Sequence, residues 1–515
     1  MDAGCLPNLA LLRTQGAYGR LTKQEHHSHE SSWSQFLFGV EPEITGHWRH
    51  ASFDPKTYRS TELLTFSDCD YPPFFAIAPA PRSVLFDVSY LHTMPELSGG
   101  QLFGWGTEAN QYCPESCPPE LIEEVKRRFG PHPVYHGSQI RIIEDDPIQP
   151  ALAFRNPSLY DQAALLCLVD NLIAGIERRM AITDWLIEEY NPEFFLLVFS
   201  ELHIGGHLLW HMDSLPHPLK TAAGAEIRAL QRLYEAIDVA VGKVVGRLPR
   251  GATLCLFSAF SGMKENATDL MLNLFLPEFL YRWSFECSAI AEGTPGQPVP
   301  TAHRQFSAHW KDEIWALATA AGRDDLQGPA ELEREQDPLD WNPTHWYKRL
   351  WPKMRAFCLP TYYQGLVRIN VAGREGAGQI SPDGFAEECR RLTSALMRLT
   401  DARTGQALVR RVLQTRQHPD GSDDLGAAAD LIVIWNNGSP VDTVDSPDIG
   451  RIGPVPYFRS GGHGEQGFAL IKGPTIPPAT SIPEGSAVHQ LTAQLMTCMG
   501  RPLPPWMSDG GWFRR

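Results

Sequence analysis

Residues 194–213 read FFLLVFSELHIGGHLLWHMD, an apolar run that passes directly into a segment with three histidines. The run is short and rich in Phe, Leu and Val, which is typical of a buried strand. His203, His207 and His211 then recur every four residues, so they share one face of a predicted helix. Two interpretations follow: the histidines bind a metal ion, or they only pack this helix against a sheet.

Three other runs have the same near-continuous apolar character, at residues 83–90, 252–260 and 430–435. Such runs are typical of parallel strands that are covered on both faces. Long amphipathic helical patterns lie between them, at residues 158–190 and 226–248. The alternation of strands and helices predicts an α/β fold with a three-layer α/β/α core and a mostly parallel sheet. Ligands of such sheets bind at the carboxyl ends of the strands.

Residues 264–417 have a different composition, because Pro, Trp and charged residues crowd the segment. Its later part predicts a strand, a Gly-rich turn and a helix. We interpret the segment as an inserted cap. The core then has a first part at residues 1–263 and a second part at residues 418–515, with the main sheet resuming at Asp430.

Composition limits the classes of function. The formal net charge of -15 argues against a protein that binds a nucleic-acid polymer, which needs a basic surface. No run of 18 apolar residues is present, so no membrane span is predicted. The first residues lack the basic start of a secretory signal, and the ten cysteines have no framework spacing. A cytoplasmic protein is therefore expected.

Several segments, taken in order, resemble one family. The likeness is to the type I phosphodiesterase/nucleotide pyrophosphatase branch of the alkaline phosphatase superfamily. The matching segments are LPNLALLRTQGAYGRL at 6–21, SSWSQFLFGVEPEITGHW at 31–48, FSELHIGGHLLWH at 199–211, LCLFSAFSGM at 254–263, LPTYYQGLVRINVAGREGAGQISP at 359–382 and GGHGEQGFALIKGP at 461–474.

The resemblance implies an alkaline-phosphatase-like core with an inserted cap. Enzymes of this family hold two divalent metals, usually zinc or manganese, at the carboxyl edge of the sheet, and a Thr or Ser between the metals attacks phosphorus. Two cations placed in this way clamp the attacking and leaving oxygens of an in-line displacement. The expected substrate is a small phosphorylated or other anionic molecule.

One of the two metal sites is retained by this resemblance. His203 stands where the family has Asp or His, His207 matches the histidine of its G-x-H motif, and His463 matches the late histidine. Three imidazoles can hold one zinc or manganese ion and leave a position open. Glu201 is expected to orient a ring behind the ligands. His211 has no counterpart among the ligands and is expected to pack or to form hydrogen bonds in a loop.

The other half of the site departs from the family. Asp2 does not match the first aspartate ligand, since the strand that should precede it is absent from the sequence. The nucleophile position is His29, or Ser28 with a shift of one residue, and an inactive polar loop is the alternative. The family's D-H-G-M turn is Phe260-Ser261-Gly262-Met263 here, without a carboxylate or an imidazole. The second metal site is therefore predicted to be lost.

Two arginines of the predicted cap, Arg368 and Arg374, either reach the substrate or form a salt-bridged turn. Three functions stay open on the sequence: a metal-dependent phosphodiesterase with a degenerate site, an inactive relative that only binds, and an enzyme repurposed for one-metal chemistry. A generic phosphodiester is expected to turn over far more slowly than in an intact relative, because several stabilising groups are missing together.

Overall fold

The structure, a computed structural model, describes residues 4–25, 27, 31–47, 51–62, 66, 69–107, 114–135, 156–213, 217–220, 227–258, 262–290, 298–299, 303, 306–307, 309–320, 325–335, 337, 339, 342–421, 428–436 and 438–513. The α-helices are α1 (Pro7–Gln15), α2 (Ser31–Phe38), α3 (Pro42–Thr45), α4 (Leu121–Phe129), α5 (Gln162–Tyr190), α6 (Glu201–Leu209), α7 (Ala229–Arg247), α8 (Leu276–Phe285), α9 (Trp310–Ala320), α10 (Pro329–Arg334), α11 (Phe385–Leu396) and α12 (Val488–Cys498). The strands are β1 (Ala17–Thr22), β2 (Ala51–Asp54), β3 (Arg59–Glu62), β4 (Ser83–Phe86), β5 (Gly99–Phe103), β6 (Glu115–Cys117), β7 (Phe194–Leu197), β8 (Leu254–Ser258), β9 (Met263–Glu265), β10 (Ala356–Leu359), β11 (Gly365–Ile369), β12 (Thr400–Asp401), β13 (Val409–Gln414), β14 (Leu431–Trp435), β15 (Val444–Ser446), β16 (Gly450–Ile452), β17 (Gly461–His463), β18 (Gln466–Lys472) and β19 (Thr480–Ser481).

The opening apolar run of the histidine segment forms strand β7 in a four-stranded sheet of order β6-β5-β4-β7. Strand β4 pairs in parallel with β5 and with β7, whereas β6 is antiparallel. Side chains of β4 are buried on both faces. Val84 and Phe86 pack with side chains of α4 and α5. Leu85 packs with side chains of α2 and α12. The prediction of a buried strand is confirmed for the first half of the run at 83–90, where β4 is fully buried. The run at 194–201 also begins with a strand, but β7 is only partly buried, with Leu196 as its one buried residue.

A second four-stranded sheet has the order β19-β1-β18-β8. Strand β18 is antiparallel to both β1 and β8, and only the short β19 pairs in parallel with β1. The prediction of an α/β protein is confirmed. The expectation of a mostly parallel main sheet is not met by these ladders, because local apolar content marks a buried strand without fixing the direction of its neighbours.

A third sheet, of order β10-β11-β14-β13, is antiparallel throughout. It contains strand β14, which the sequence analysis assigned to the main sheet at Asp430. That assignment is wrong: β14 pairs with β11 and β13 of the predicted insertion. All five β14 residues are buried, and a central strand of either sheet would have the same composition. The divisions at 263/264 and 417/418 stay predictions.

The predicted insertion has a core rich in aromatic side chains. Trp346 and Trp351 are buried, and the Trp351 ring stacks on Phe357 with centroids 5.0 Å apart. Tyr347 donates a hydrogen bond to Glu278 Oε2 at 2.7 Å, and the same carboxylate accepts from Arg282 Nε at 2.7 Å. These rings stabilise the interior of this part of the chain, since they bury large apolar areas, and the hydroxyl of Tyr347 is satisfied by Glu278.

The longest described helix, α5, has 29 residues and is amphipathic. Its buried side includes Leu172 and Ile176, and its exposed side carries charged residues such as Asp170 and Glu188. Across the described ranges, the structure contains no helix of sufficient length and apolar character to cross a membrane. The cytoplasmic location stays a prediction.

Candidate metal centre

Helix α6 begins four residues after β7, and it carries two of the three candidate ligands. His203 and His207 are one helical turn apart and project from the same side. The side that faces the core holds Ile204 and Leu208, both essentially inaccessible to solvent. Burial of these apolar side chains fixes the rotation of the helix about its axis, and this rotation determines where the two imidazoles point.

The third candidate ligand, His463, ends strand β17, which pairs with β9. The backbone of strand β17 approaches helix α6 closely at Gly461. A Cβ atom added to Gly461 would lie 1.9 Å from the carbonyl oxygen of Gly206. Only glycine permits that separation, since real Cβ atoms need more than about 3 Å from backbone oxygen. The glycine pair at 461–462 therefore lets His463 reach a helix that lies far away in the sequence.

Three imidazole nitrogens converge at this contact. Nε2 of His203 lies 3.2 Å from Nε2 of His463 and 3.2 Å from Nε2 of His207. The candidate ligand atoms of the three residues all lie within 4.8 Å of one another. Among the residues that the structure describes, this is the one group of three or more His, Cys, Asp or Glu side chains with that property.

The hydrogen-bonding capacity of the rings limits what else this cluster can be. Nδ1 of His207 donates to the carbonyl oxygen of Gly461 at 2.8 Å, so the neutral ring presents a lone pair at Nε2. Nε2 of His203 can donate at most one proton, although it faces both other Nε2 atoms. Hydrogen bonds among the rings therefore cannot satisfy both Nε2–Nε2 contacts of His203 at once, whereas one cation can.

The environment of two of the ligand rings, those of His207 and His463, favours their neutral form. Burial, and then the neighbouring Arg459 guanidinium, hold the pKa of His207 well below its usual range. Burial, then His203 and Arg459, do the same to the pKa of His463, and Lys23 contributes as well. Neutral imidazole is the form that binds a metal. Arg459 and Lys23 were missed by the sequence analysis, although Arg459 stands only four residues before His463.

The cluster fits one zinc ion. Zinc–nitrogen distances of 2.0–2.1 Å in tetrahedral geometry place two ligand nitrogens about 3.3 Å apart. The two Nε2–Nε2 distances of 3.2 Å agree with that separation. Three histidines would leave the fourth position for a substrate oxygen or for water. Bound there, the ion could act as a Lewis acid on an oxygen of a bound ligand.

His211, the third histidine of the opening segment, is not part of the cluster. Its Nδ1 is 2.9 Å from Ser460 Oγ, and its Nε2 is 3.1 Å from the carbonyl oxygen of Leu159. The ring is therefore engaged on both sides by hydrogen-bonding partners. The ring is buried and hydrogen-bonded, as the sequence predicted, but its partners are distant in the chain, at positions 159 and 460.

Glu201 orients a ring, but the ring is not one of the candidate ligands. Its Oε1 accepts hydrogen bonds from His132 Nε2 at 3.2 Å and from Arg179 Nε at 2.9 Å. All three residues are completely buried. The sequence predicts a carboxylate behind the candidate ligands but does not reveal its partners, because His132 and Arg179 lie in other elements and carry no motif of their own.

Arg368 and Arg374 form the salt-bridged turn that was the alternative to substrate contact. Arg368 Nε donates to Glu375 Oε1 at 2.8 Å. Arg374 makes two hydrogen bonds to Asp430, at 2.8 Å and 2.7 Å, and a further one to Glu375 at 2.9 Å. Both guanidinium groups are thus engaged by buried carboxylates. Arg374 joins the Gly-rich turn to the residue that precedes β14.

Three predicted features lie outside the described residues. They are the nucleophile position, His29 or Ser28; the non-matching Asp2; and residues 259–261 of the altered D-H-G-M turn. Of that turn, Gly262 and Met263 are described, and Met263 packs beside Gly206. The loss of the second metal site therefore stays a prediction.

Comparison with known proteins gives a likeness at the level of solved structures. No family model and no curated protein matches the chain. Human ectonucleotide pyrophosphatase/phosphodiesterase 5 matches at 12% identity and a TM-score of 0.40, covering 99% of this chain and 93% of that chain. The murine protein of the same name matches at 11% identity and a TM-score of 0.44, covering 97% and 91%.

Phosphonoacetate hydrolase from Sinorhizobium meliloti 1021 matches at 12% identity and a TM-score of 0.41, covering 97% of this chain and 91% of that chain. Proteins named for the nucleotide pyrophosphatase/phosphodiesterase branch, which the sequence motifs resemble, are thus among the matches. With TM-scores between 0.40 and 0.44, neither activity nor site residues follow from these matches.

Proposed function

We propose that this protein is a metal-dependent phosphohydrolase of the phosphodiesterase/nucleotide pyrophosphatase kind, with a degenerate site that uses one metal ion. His203, His207 and His463 hold a zinc or manganese ion, and the substrate is a small phosphorylated or otherwise anionic molecule. The observation that carries the proposal is the convergence of three Nε2 atoms at distances that suit one tetrahedral ion.

The charges around the cluster support an anionic substrate. The chain as a whole has a formal net charge of -15, yet in addition to burial two cations near the cluster, Arg459 and Lys23, lower the pKa of His463. A bound divalent ion would add two further positive charges, so the local field would oppose that of the whole protein. Small phosphate and phosphonate anions are the first ligands to test, since an inactive variant of murine ectonucleotide pyrophosphatase/phosphodiesterase 5 has been solved with AMP and the hydrolase with phosphonoformate.

The proposal has three further parts. The core is a three-layer α/β/α arrangement of the alkaline-phosphatase kind with an inserted cap. His29 or Ser28 stands at the nucleophile position. The second metal of the family is absent, because Phe260 and Ser261 replace its ligands. A single metal can still polarise a phosphoryl oxygen, but it cannot clamp both the attacking and the leaving oxygen.

The test combines metal content with turnover. Protein purified without an affinity tag is analysed by elemental mass spectrometry, then assayed with bis(p-nitrophenyl) phosphate in added zinc or manganese. We expect about one metal ion per chain and slow, metal-dependent hydrolysis, both lost in His463→Ala. The exposed His418 supplies the control, and His418→Ala should keep both properties.

The other outcomes distinguish the alternatives. If the protein takes up no metal even after reconstitution, the proposed three-histidine metal site is wrong. An inactive binding protein would then be the better account. One bound metal without phosphodiester turnover would contradict the hydrolase and favour different one-metal chemistry. Fast hydrolysis, comparable with an intact two-metal enzyme, would show that the assignment of the lost site is wrong.

A further inference from the structure

A fully buried ionic network lies directly behind the start of helix α6. The Arg179 guanidinium is its centre. Nη1 donates to Asp87 Oδ2 at 2.6 Å, Nε donates to Glu201 Oε1 at 2.9 Å, and Nη2 donates to the carbonyl oxygen of Gly106 at 2.6 Å. Asp87, Arg179 and Glu201 each have 0% of their surface exposed. Burying such charges is costly unless each is paired, so the geometry of the network is tightly constrained.

Asp87 fixes the network to the parallel sheet. It follows the last residue of β4, and its carboxylate accepts hydrogen bonds from the backbone N–H groups of Trp105 and Gly106 at 2.9 Å and 3.0 Å. Its φ of 55° lies in the left-handed region, which non-glycine residues seldom adopt. The backbone is thus held in an unusual conformation that aims this carboxylate at Arg179.

His132 completes the network from the other side. Its Nδ1 accepts hydrogen bonds from the backbone N–H groups of Val134 and Tyr135, both at 3.1 Å. The proton of the neutral ring is therefore on Nε2, which faces Glu201 Oε1 at 3.2 Å as a donor. The ring is buried, and its orientation is fixed by contacts at both nitrogens.

Two glycines make room for these groups. A Cβ atom on Gly175, inside helix α5, would lie 2.4 Å from His132 Nε2. A Cβ atom on Gly106 would lie 2.6 Å from His132 Cδ2 and 2.7 Å from Arg179 Nη2. Glycine inside a helix is destabilising, so Gly175 needs a packing reason, and the His132 ring supplies it.

We propose that Arg179, Asp87 and His132 are positioning residues for the metal centre, acting through Glu201. This inference rests on the metal site of the proposed function. Glu201 is the first residue of α6, and His203 follows two residues later. The network joins that helix end to β4 through Asp87, to α5 through Arg179 and to the segment after α4 through His132. These three connections fix the position of the first turn of α6. They thereby also fix the direction in which the imidazoles of His203 and His207 project.

A positioning role differs from two simpler roles in its expected signature. If the network only stabilised the fold, its loss would lower the melting temperature without changing the zinc affinity of folded protein. If only its charges mattered, then Arg179→Lys, which keeps the charge, would leave zinc affinity unchanged. Positioning requires that Arg179→Lys weakens zinc binding, because lysine cannot bridge Asp87, Glu201 and the Gly106 carbonyl at once.

The experiment measures zinc affinity by competition with a chromophoric chelator, the absorption spectrum of the cobalt-substituted protein, and thermal unfolding of the metal-free protein. The variants are Arg179→Lys and Glu201→Gln. Partners that support metal ligands typically change affinity 10–100-fold when mutated, so we expect about that loss, with an altered cobalt spectrum, for both variants.

The matched control is the pair Glu278–Arg282 in helix α8. Its Nε–Oε1 distance is 2.7 Å, and both side chains are almost fully buried. Arg282→Lys should lower the melting temperature to a similar degree but leave zinc affinity and the cobalt spectrum unchanged. Should Arg179→Lys fail to fold, Gly175→Ala displaces the His132 ring while every charge is kept. Its control is Gly246→Ala, where an added Cβ meets no atom within 4 Å.

The outcomes separate this inference from the proposed function. If the wild-type protein binds no zinc, the function and the inference fail together. If zinc binds and is lost in His207→Ala, but folded Arg179→Lys and Gly175→Ala bind as tightly as the wild type, only the positioning role is overturned. Equal weakening by Arg282→Lys would also overturn it, because the effect would then be general.

Discussion

Nε2 of His203 lies 3.2 Å from Nε2 of His463, although the two residues are 260 positions apart in the chain. One ring comes from a helix that follows a parallel strand, and the other from a strand that enters the site through a glycine pair. His207, on the same helix face as His203, brings its Nε2 within 3.2 Å of the first ring. The functional predictions depend on this meeting of two distant segments.

His207→Ala should abolish stoichiometric metal binding, because two imidazoles alone hold a divalent ion weakly. His211 lies in the 3-10 turn that follows α6, and His211→Ala should keep the metal, since both ring nitrogens of His211 are engaged elsewhere, by Ser460 and Leu159. Metal content per chain by elemental mass spectrometry compares the two variants. Retention of the metal in His207→Ala would contradict the three-histidine site.

Gly461→Ala should destabilise the protein and weaken metal binding. Its Cβ atom would lie 1.9 Å from the Gly206 carbonyl oxygen, so strand β17 would have to move away from α6. Overpacking of this kind typically costs about 1–3 kcal/mol. Gly246→Ala is the control, because nothing lies within 4 Å of its added Cβ, and helix propensity there favours alanine. Chemical denaturation measures the free energy of unfolding of the two variants. Equal stability of the two would argue against the close approach of strand β17 to helix α6.

Acid should destabilise the metal-free protein through its buried histidines. Burial lowers the pKa of His211 from 6.5 to about 4. The unfolded chain then binds more protons than the folded one between these two values, so stability is fully present above pH 6.5 and falls as the pH drops towards 4. A shift of this size corresponds to roughly 3 kcal/mol at most.

The check is the free energy of unfolding, measured against pH in the presence of a chelator. His211→Gln should show a shallower decline between pH 6.5 and pH 4 than the wild type, even if its stability is lower at neutral pH. The exposed His418 provides the comparison, and His418→Gln should retain the wild-type slope. An unchanged slope in His211→Gln would show that this ring is not the source of the acid sensitivity.

Arg374→Lys should reduce stability without affecting metal content or the KM for a small phosphodiester. The guanidinium binds Asp430 through two nitrogens at 2.8 Å and 2.7 Å, which lysine cannot reproduce. Disrupting a buried ion pair costs about 3–5 kcal/mol when a partner is removed, and somewhat less when the charge is kept. A raised KM with unchanged stability would instead restore the substrate-binding interpretation.

The sequence determined the local structure well where a segment is long and periodic. The run at 194–201 gave β7, the run at 83–90 gave β4, and the patterns at 158–190 and 226–248 gave α5 and α7. Apolar content and helical spacing depend on neighbours a few positions away, so they are readable without the tertiary structure. The same reasoning failed for β14, because the sheet that a buried strand joins is decided by distant partners.

The metal ligands could be anticipated because histidine spacing and the GGHG segment are themselves local signals. The residues that surround these ligands could not be anticipated in the same way. Arg179, Asp87 and His132 lie in three different elements, and no spacing in the sequence links them to Glu201. The sequence by itself therefore determined which side chains can bind a metal. Only the tertiary structure decided that their nitrogens meet, and that a buried ionic network lies behind them, since both result from packing between elements far apart in the chain.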